Sequence, residues 1–86
     1  MVKVKKRIGK TEEYLESKII AGSKKAGATI EDAEKVAKEV SMKVEKMAVV
    51  DAERLSDMVV ESLRKVNKAA ADGFNKFRRE KYEKKP

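Results

Sequence analysis

The chain has 86 residues, 43% of them charged, with 22 Lys and Arg against 15 Asp and Glu and a formal net charge of +7. That length supports one modest core and leaves little room for a large cleft with its own scaffold. Cys, His and Trp are absent, which excludes disulfides, thiol or imidazole catalysis and the usual zinc ligand sets.

No apolar run approaches the roughly 18 to 20 residues of a membrane span, and no signal-peptide apolar core follows the basic N-terminus, so a cytoplasmic location is expected. The charge excess is terminal: residues 1–10 carry a net +5, residues 74–86 a net +4 and residues 11–73 a net −2. If the two ends meet in space, they form an electropositive region suited to a polyanion or a triphosphate. The plainer reading makes the basic stretch from about residue 80 a solvated, fraying tail. Abundant Lys and Glu also fit a thermophile composition.

In chain order, Val2, Val4 and Ile8 alternate with Lys3, Lys5 and Arg7, the period-two pattern of a half-buried strand. Gly9 breaks the pattern within a turn at Arg7 to Lys10, and Thr11 to Leu15 is expected to return as the second strand of a hairpin. Lys3, Lys5 and Lys10 serve first to protect an edge strand from aggregation. An isolated hairpin is marginal in water, so Val2, Val4, Ile8 and Leu15 are expected to pack on helices. The first helix is expected from about Ser17 to Ala26, with Gly27 as its left-handed stop.

Thr29 reads as an N-cap, with Glu31 and Asp32 suiting the positive end of the next helix. From there Ala33, Val36, Ala37, Val40, Val44 and Met47 follow helical spacing. Ala48, Val49 and Val50 interrupt it as a candidate third strand, and Asp51 follows as a cap. Leu55, Met58, Val59, Leu63 and Val66 mark a third helix, which Asn67 ends unless it caps the next. The last helix is expected to turn Ala70, Phe74 and Phe77 inward, although Gly73 in its interior costs about 1 kcal/mol. Pairs such as Glu34 with Lys38 and Glu61 with Lys65 have the spacing of helix-surface ion pairs rather than of catalytic carboxylates. The breaks at Gly27, at Val49 to Asp51 and at Asn67 favour helices folded on one another over a single coiled-coil rod. The expected class is therefore α+β: a small bundle of about four helices capped by a two- or three-stranded sheet, with residues 1–86 as a single domain.

The basic hairpin Lys6-Arg7-x-Gly9-x-x-Glu12, Lys18-Ile19 opening a helix, an Ala/Val helix, a β-branched step, a Leu/Val helix and a closing Phe74-x-x-Phe77-Arg78 together resemble the ATP-cone, here as a free-standing unit. That family is a regulatory nucleotide-binding module of ribonucleotide reductases and of the repressor of their genes. The resemblance covers residues 2 to about 79. It implies four helices capped by a three-stranded sheet, with ATP or dATP, with or without Mg2+, bound between them. Lys6 and Arg7 resemble the hairpin basics that approach the phosphates, Glu12 the adenine-side acid, Lys18 the helix-opening lysine facing the nucleotide, and Gly9 the turn glycine. Ammonium and guanidinium groups suit a triphosphate, and a carboxylate can accept from the adenine amino group. Three positions depart from the family pattern: Ile8 stands where Asp is usual, Leu15 where a small polar residue often follows the second strand, and Asp51 takes the one polar place in a step that commonly carries Thr. An acid there would repel a phosphate.

The functional expectation is a non-catalytic module that binds ATP or dATP and acts on a reductase or a transcriptional partner. Two alternatives stand beside it. One is a small basic protein that contacts nucleic-acid phosphates, for which Tyr14 and Tyr82 would be the exposed aromatics. The other is an ATP-cone fold that has lost nucleotide binding and serves as an interaction module, including one that associates through leftover apolar surface such as Ile20 or Met58.

Overall fold

The computed structural model describes residues 2–6 and 9–83, the side chains of residues 81–83 excepted. Its elements are β1 (Lys3–Lys5), β2 (Thr11–Glu13), α1 (Glu16–Lys25), α2 (Ile30–Val44), β3 (Val49–Asp51), α3 (Ala52–Val66) and α4 (Lys68–Glu83). This is the α+β bundle with a sheet cap. Among the described residues no helix is long and apolar enough to cross a membrane.

The strands are shorter than the alternation of Val2 to Ile8 and the span Thr11 to Leu15 imply. They pair in the order β2-β1-β3, antiparallel for β1 with β2 and parallel for β1 with β3. A parallel neighbour needs a crossover, and α1 with α2 supplies it. The third strand is shifted one residue toward the C-terminus of the expected Ala48 to Val50, so that Val50 pairs with Val4 and both side chains are buried. Gly9 turns the hairpin with a φ of +89°, its N–H donating to the Lys6 carbonyl at 2.9 Å. That left-handed conformation is one glycine adopts without a Cβ clash.

Each helix end has a local cause. After α1, Gly27 takes a φ of +116°, while the Gly27 and Ala28 N–H groups donate back to the Lys24 and Ser23 carbonyls at 3.0 Å each. This is the Schellman arrangement, which satisfies carbonyls the helix would otherwise leave open. Thr29 Oγ1 accepts from the Asp32 N–H at 3.1 Å and opens α2. Asn67 does both jobs: its N–H donates to the Leu63 carbonyl as α3 ends, and its Oδ1 accepts from the Ala70 N–H at 3.0 Å as α4 begins.

The core is the α2 stripe Ala33, Val36, Ala37, Val40 and Val44, closed by Met58, Val59 and Leu63 of α3 and by Ala70 and Ala71 of α4; Met47, expected in the same helical stripe, lies past the end of α2 and is only partly buried against it. Met58 is therefore core, not leftover surface, and Ile20 is partly buried against the same cluster. Val66 is exposed at the last residue of α3, where the chain turns away.

Two apolar residues expected inside lie outside. Leu15 is 44% exposed because β2 has already ended and Leu15 is the extended residue that precedes α1. Phe77 is 43% exposed: α1 stops beside Gly73, so the next turn of α4 runs past it, and Lys25 reaches across with its Nζ 5.7 Å from the ring centre. The i,i+4 ion pairs do not form among the described residues. Lys65 turns instead to Glu39 of α2 at 3.1 Å, where Ser62 and Lys65 hold the Glu39 carboxyl below its ordinary pKa.

Candidate functional site

Period two along β1 puts Lys6 on the same side of the sheet as Val4, the side that faces the helices. Glu12 lies directly opposite Val4 in the antiparallel register, so it shares that side on the outer strand. The first turn of α1 then brings Lys18 up beneath this edge. The result is a three-residue cluster: Lys6 Nζ is 3.2 Å from Glu12 Oε2, and Lys18 Nζ is 3.4 Å from Glu12 Oε1. Hydrogen bonding from Lys6 is the main cause of a lowered Glu12 pKa, with the Lys18 charge adding to it against partial desolvation. All three side chains remain substantially exposed, so the pairs are held weakly and are open to exchange with another anion.

Lys18 is placed against the grain of its helix. A cation in the first turn faces the positive end of the α1 dipole, and no side chain caps that end, because Leu15 occupies the cap position. Glu12 offsets both. An anion arriving here would meet two ammonium groups and uncapped backbone N–H groups, a donor set that suits phosphate. The cluster therefore fits a polyphosphate on its donors alone, provided Glu12 yields its lysines.

Of the expected site residues, Lys6, Glu12 and Lys18 are brought together and Gly9 makes the turn above them. Arg7 and Ile8 lie outside the described residues. Lys6 also borders a second feature, an open cleft of about 490 Å³ at the start of α3 lined by Lys5, Lys6, Asp51, Glu53, Arg54 and Asp57. Asp51 precedes α3 without making a side-chain cap bond, and it pairs in register with Lys5. Its carboxylate thus sits beside the lysines rather than away from them.

A second network braces the cluster. Tyr14 OH lies 2.6 Å from Ser41 Oγ, which donates to Glu16 Oε2 at 3.0 Å. A serine hydroxyl has one proton, so Tyr14 donates to Ser41. The chain of bonds ties the end of β2 and the first turn of α1 to the last turn of α2, and burial pushes the Tyr14 phenol pKa up. Tyr14 is therefore not a free stacking surface; Tyr82, the other tyrosine, has no described side chain. Ser41, Glu16 and the Tyr14 hydroxyl went unread in the sequence, where the only signal was Ser41 flanking the apolar stripe of α2 next to Val40 and Val44.

The family model for the ATP cone domain matches residues 2–83. Among proteins of curated function, none matches the chain.

Proposed function

The chain belongs to the ATP-cone domain family, and from that premise we propose that it is a non-catalytic module that binds ATP or dATP at the hairpin and α1 and acts on a protein partner. ATP-cone domains are in general regulatory, nucleotide-binding modules. The observation that carries the finer reading is the convergence of Lys6 and Lys18 on one carboxylate. Two ammonium groups that can both reach Glu12 can both reach a phosphate placed where its carboxylate now lies. On binding, the lysines exchange Glu12 for phosphate oxygens, and Glu12 is released to accept from the adenine amino group. Gly9 lets the turn close over the ligand without a side chain in the way. Such a module regulates only if nucleotide and partner each favour one of two states. A ribonucleotide reductase or a repressor of its genes is the partner class the family suggests.

Titration of the labelled protein with ATP, dATP and inorganic triphosphate, with and without Mg2+, tests the reading by NMR. Shifts should cluster at Lys6, Gly9, Glu12 and Lys18, and Lys18→Gln should weaken ATP binding about tenfold, the worth of one charged hydrogen bond. The substitution should leave fold stability within about 0.5 kcal/mol, since it also removes an unfavourable helix-dipole contact. No shifts at millimolar nucleotide, or shifts confined to α3 and α4, would overturn it.

A further inference from the structure

Two bridges span the gap between β2 and α1, side by side. Tyr14 continues the ladder of β2, its N–H donating to the Val2 carbonyl at 3.0 Å, so period two puts its side chain on the helix side of the sheet with that of Glu12. Both are half-buried, while Thr11, Glu13 and Leu15, which alternate with them, are exposed. Across the gap, Glu16 and Lys18 share the first turn of α1. Glu12 reaches Lys18 directly at 3.4 Å. Tyr14 reaches Glu16 through the Ser41 hydroxyl of α2, at 2.6 and 3.0 Å.

A phosphate affects the two bridges differently. The Lys18 to Glu12 pair joins exposed charges, which an arriving anion can exchange. The Tyr14–Ser41–Glu16 chain is partly buried at Tyr14, gives each hydroxyl proton an acceptor and offers an anion no cation. The start of α1 depends on such ties, because Leu15 stands at its cap position and no side chain caps it, and helix ends without caps fray. Once Glu12 releases Lys18, the bond from Ser41 to Glu16 is the side-chain hydrogen bond left holding that turn among the described residues.

We propose that Tyr14 and Ser41 are positioning residues for the nucleotide: they hold the first turn of α1 against β2, so that Lys18 stays within reach of the phosphates after Glu12 has let it go. The inference rests on the reading of Lys6, Glu12 and Lys18 as a phosphate site, and it adds to that site a residue of α2. Neither Tyr14 nor Ser41 touches the ligand. Without them the ligand itself must order the start of α1, and that ordering is subtracted from its affinity.

Amide hydrogen exchange without nucleotide tests the holding role, and calorimetric titration with ATP and with inorganic triphosphate tests its consequence, with circular dichroism to establish that every variant is folded. Glu12→Gln frees Lys18 and Ser41→Ala cuts the brace. Either alone should leave exchange at the amides of Lys18 to Ile20 within about twofold of wild type, and the two together should raise it more than about tenfold, because each bridge covers for the other. In binding, Ser41→Ala should weaken ATP and triphosphate alike by about fivefold, part of the roughly tenfold that loss of the Lys18 ammonium costs. Ser41→Thr keeps the hydroxyl and should restore the wild-type affinity. Tyr14→Phe keeps the ring packing, leaves no unpaired proton and should weaken both ligands in the same direction. In a Lys18→Gln background Ser41→Ala should cost nothing further, since the brace acts through that ammonium. A loss that persists in full in that background would mark a merely structural role and overturn the proposal, as would α1 amides that exchange no faster in the double variant than the single effects multiply to. A wild type that binds neither ligand would instead overturn the phosphate-site reading, while the exchange measurements still decide the brace.

Discussion

Glu12 has two roles that its neighbours set against each other. In the structure it neutralises Lys6 and Lys18; in the proposed complex it reads the adenine amino group. Glu12→Gln separates the two. The amide no longer holds the lysines, so affinity for inorganic triphosphate should rise. An amide can also turn its NH2 toward the guanine O6, an acceptor that the carboxylate repels. ATP should therefore lose its advantage over GTP by severalfold or more, measured by competitive titration on the same protein. A variant that keeps full preference for ATP would show that Glu12 does not read the base. A lower affinity for triphosphate would show that the carboxylate was not restraining the lysines.

At the scale of elements, what packing and capping dictate was legible and what depends on where neighbours end was not. The α2 stripe, the Thr29 cap and the Gly27 stop follow from spacing and local chemistry, and all three stand. Leu15 and Phe77 are as apolar as any core residue, but whether each is covered depends on where β2 and α1 stop, which no local pattern states. The same holds for Lys65, whose partner comes from α2 and not from its own helix. In the site, the resemblance named Lys6, Glu12 and Lys18, while the Tyr14–Ser41–Glu16 brace joins three elements and has no local signature. Gly73 shows the limit best. In sequence it is a helix-weakening residue; in the fold a Cβ there would stand 2.7 Å from the Ala26 carbonyl oxygen, so glycine is what lets the end of α1 lie against α4. Gly73→Ala gains about 1 kcal/mol of helix propensity and incurs about 1 to 3 kcal/mol of overpacking against a backbone atom that has little freedom to move. Urea unfolding should show a net loss. A stabilised variant would mean that α1 can withdraw from α4 without cost.

Over the whole molecule, Lys5 and Lys6 from the N-terminal basic stretch and Arg78 from α4 converge on the start of α3, where acids meet them. Arg78 of α4 pairs with Asp57 at 2.8 Å and donates to the Glu53 carbonyl at 3.3 Å, while Lys5 and Lys6 border the same cleft beside Asp51 and Asp57. The terminal charge excess is thereby partly answered on the spot, so the field that reaches an approaching triphosphate is weaker than the terminal lysines and arginines alone would give. Arg78 and Asp57 are engaged with each other, but Asp51 makes no cap bond and faces solvent next to the lysines. Its charge can therefore be removed with little disturbance of the fold while the field beside the lysines changes. Asn serves as well as Asp before a helix, so Asp51→Asn should keep the melting curve within about 0.5 kcal/mol. It should tighten ATP binding severalfold at low ionic strength, with the gain fading as the Debye length falls below about 8 Å. Calorimetry across a salt series reads both the gain and its loss. An affinity unchanged at low salt would place the bound phosphates beyond the reach of Asp51, toward α1 and away from α3.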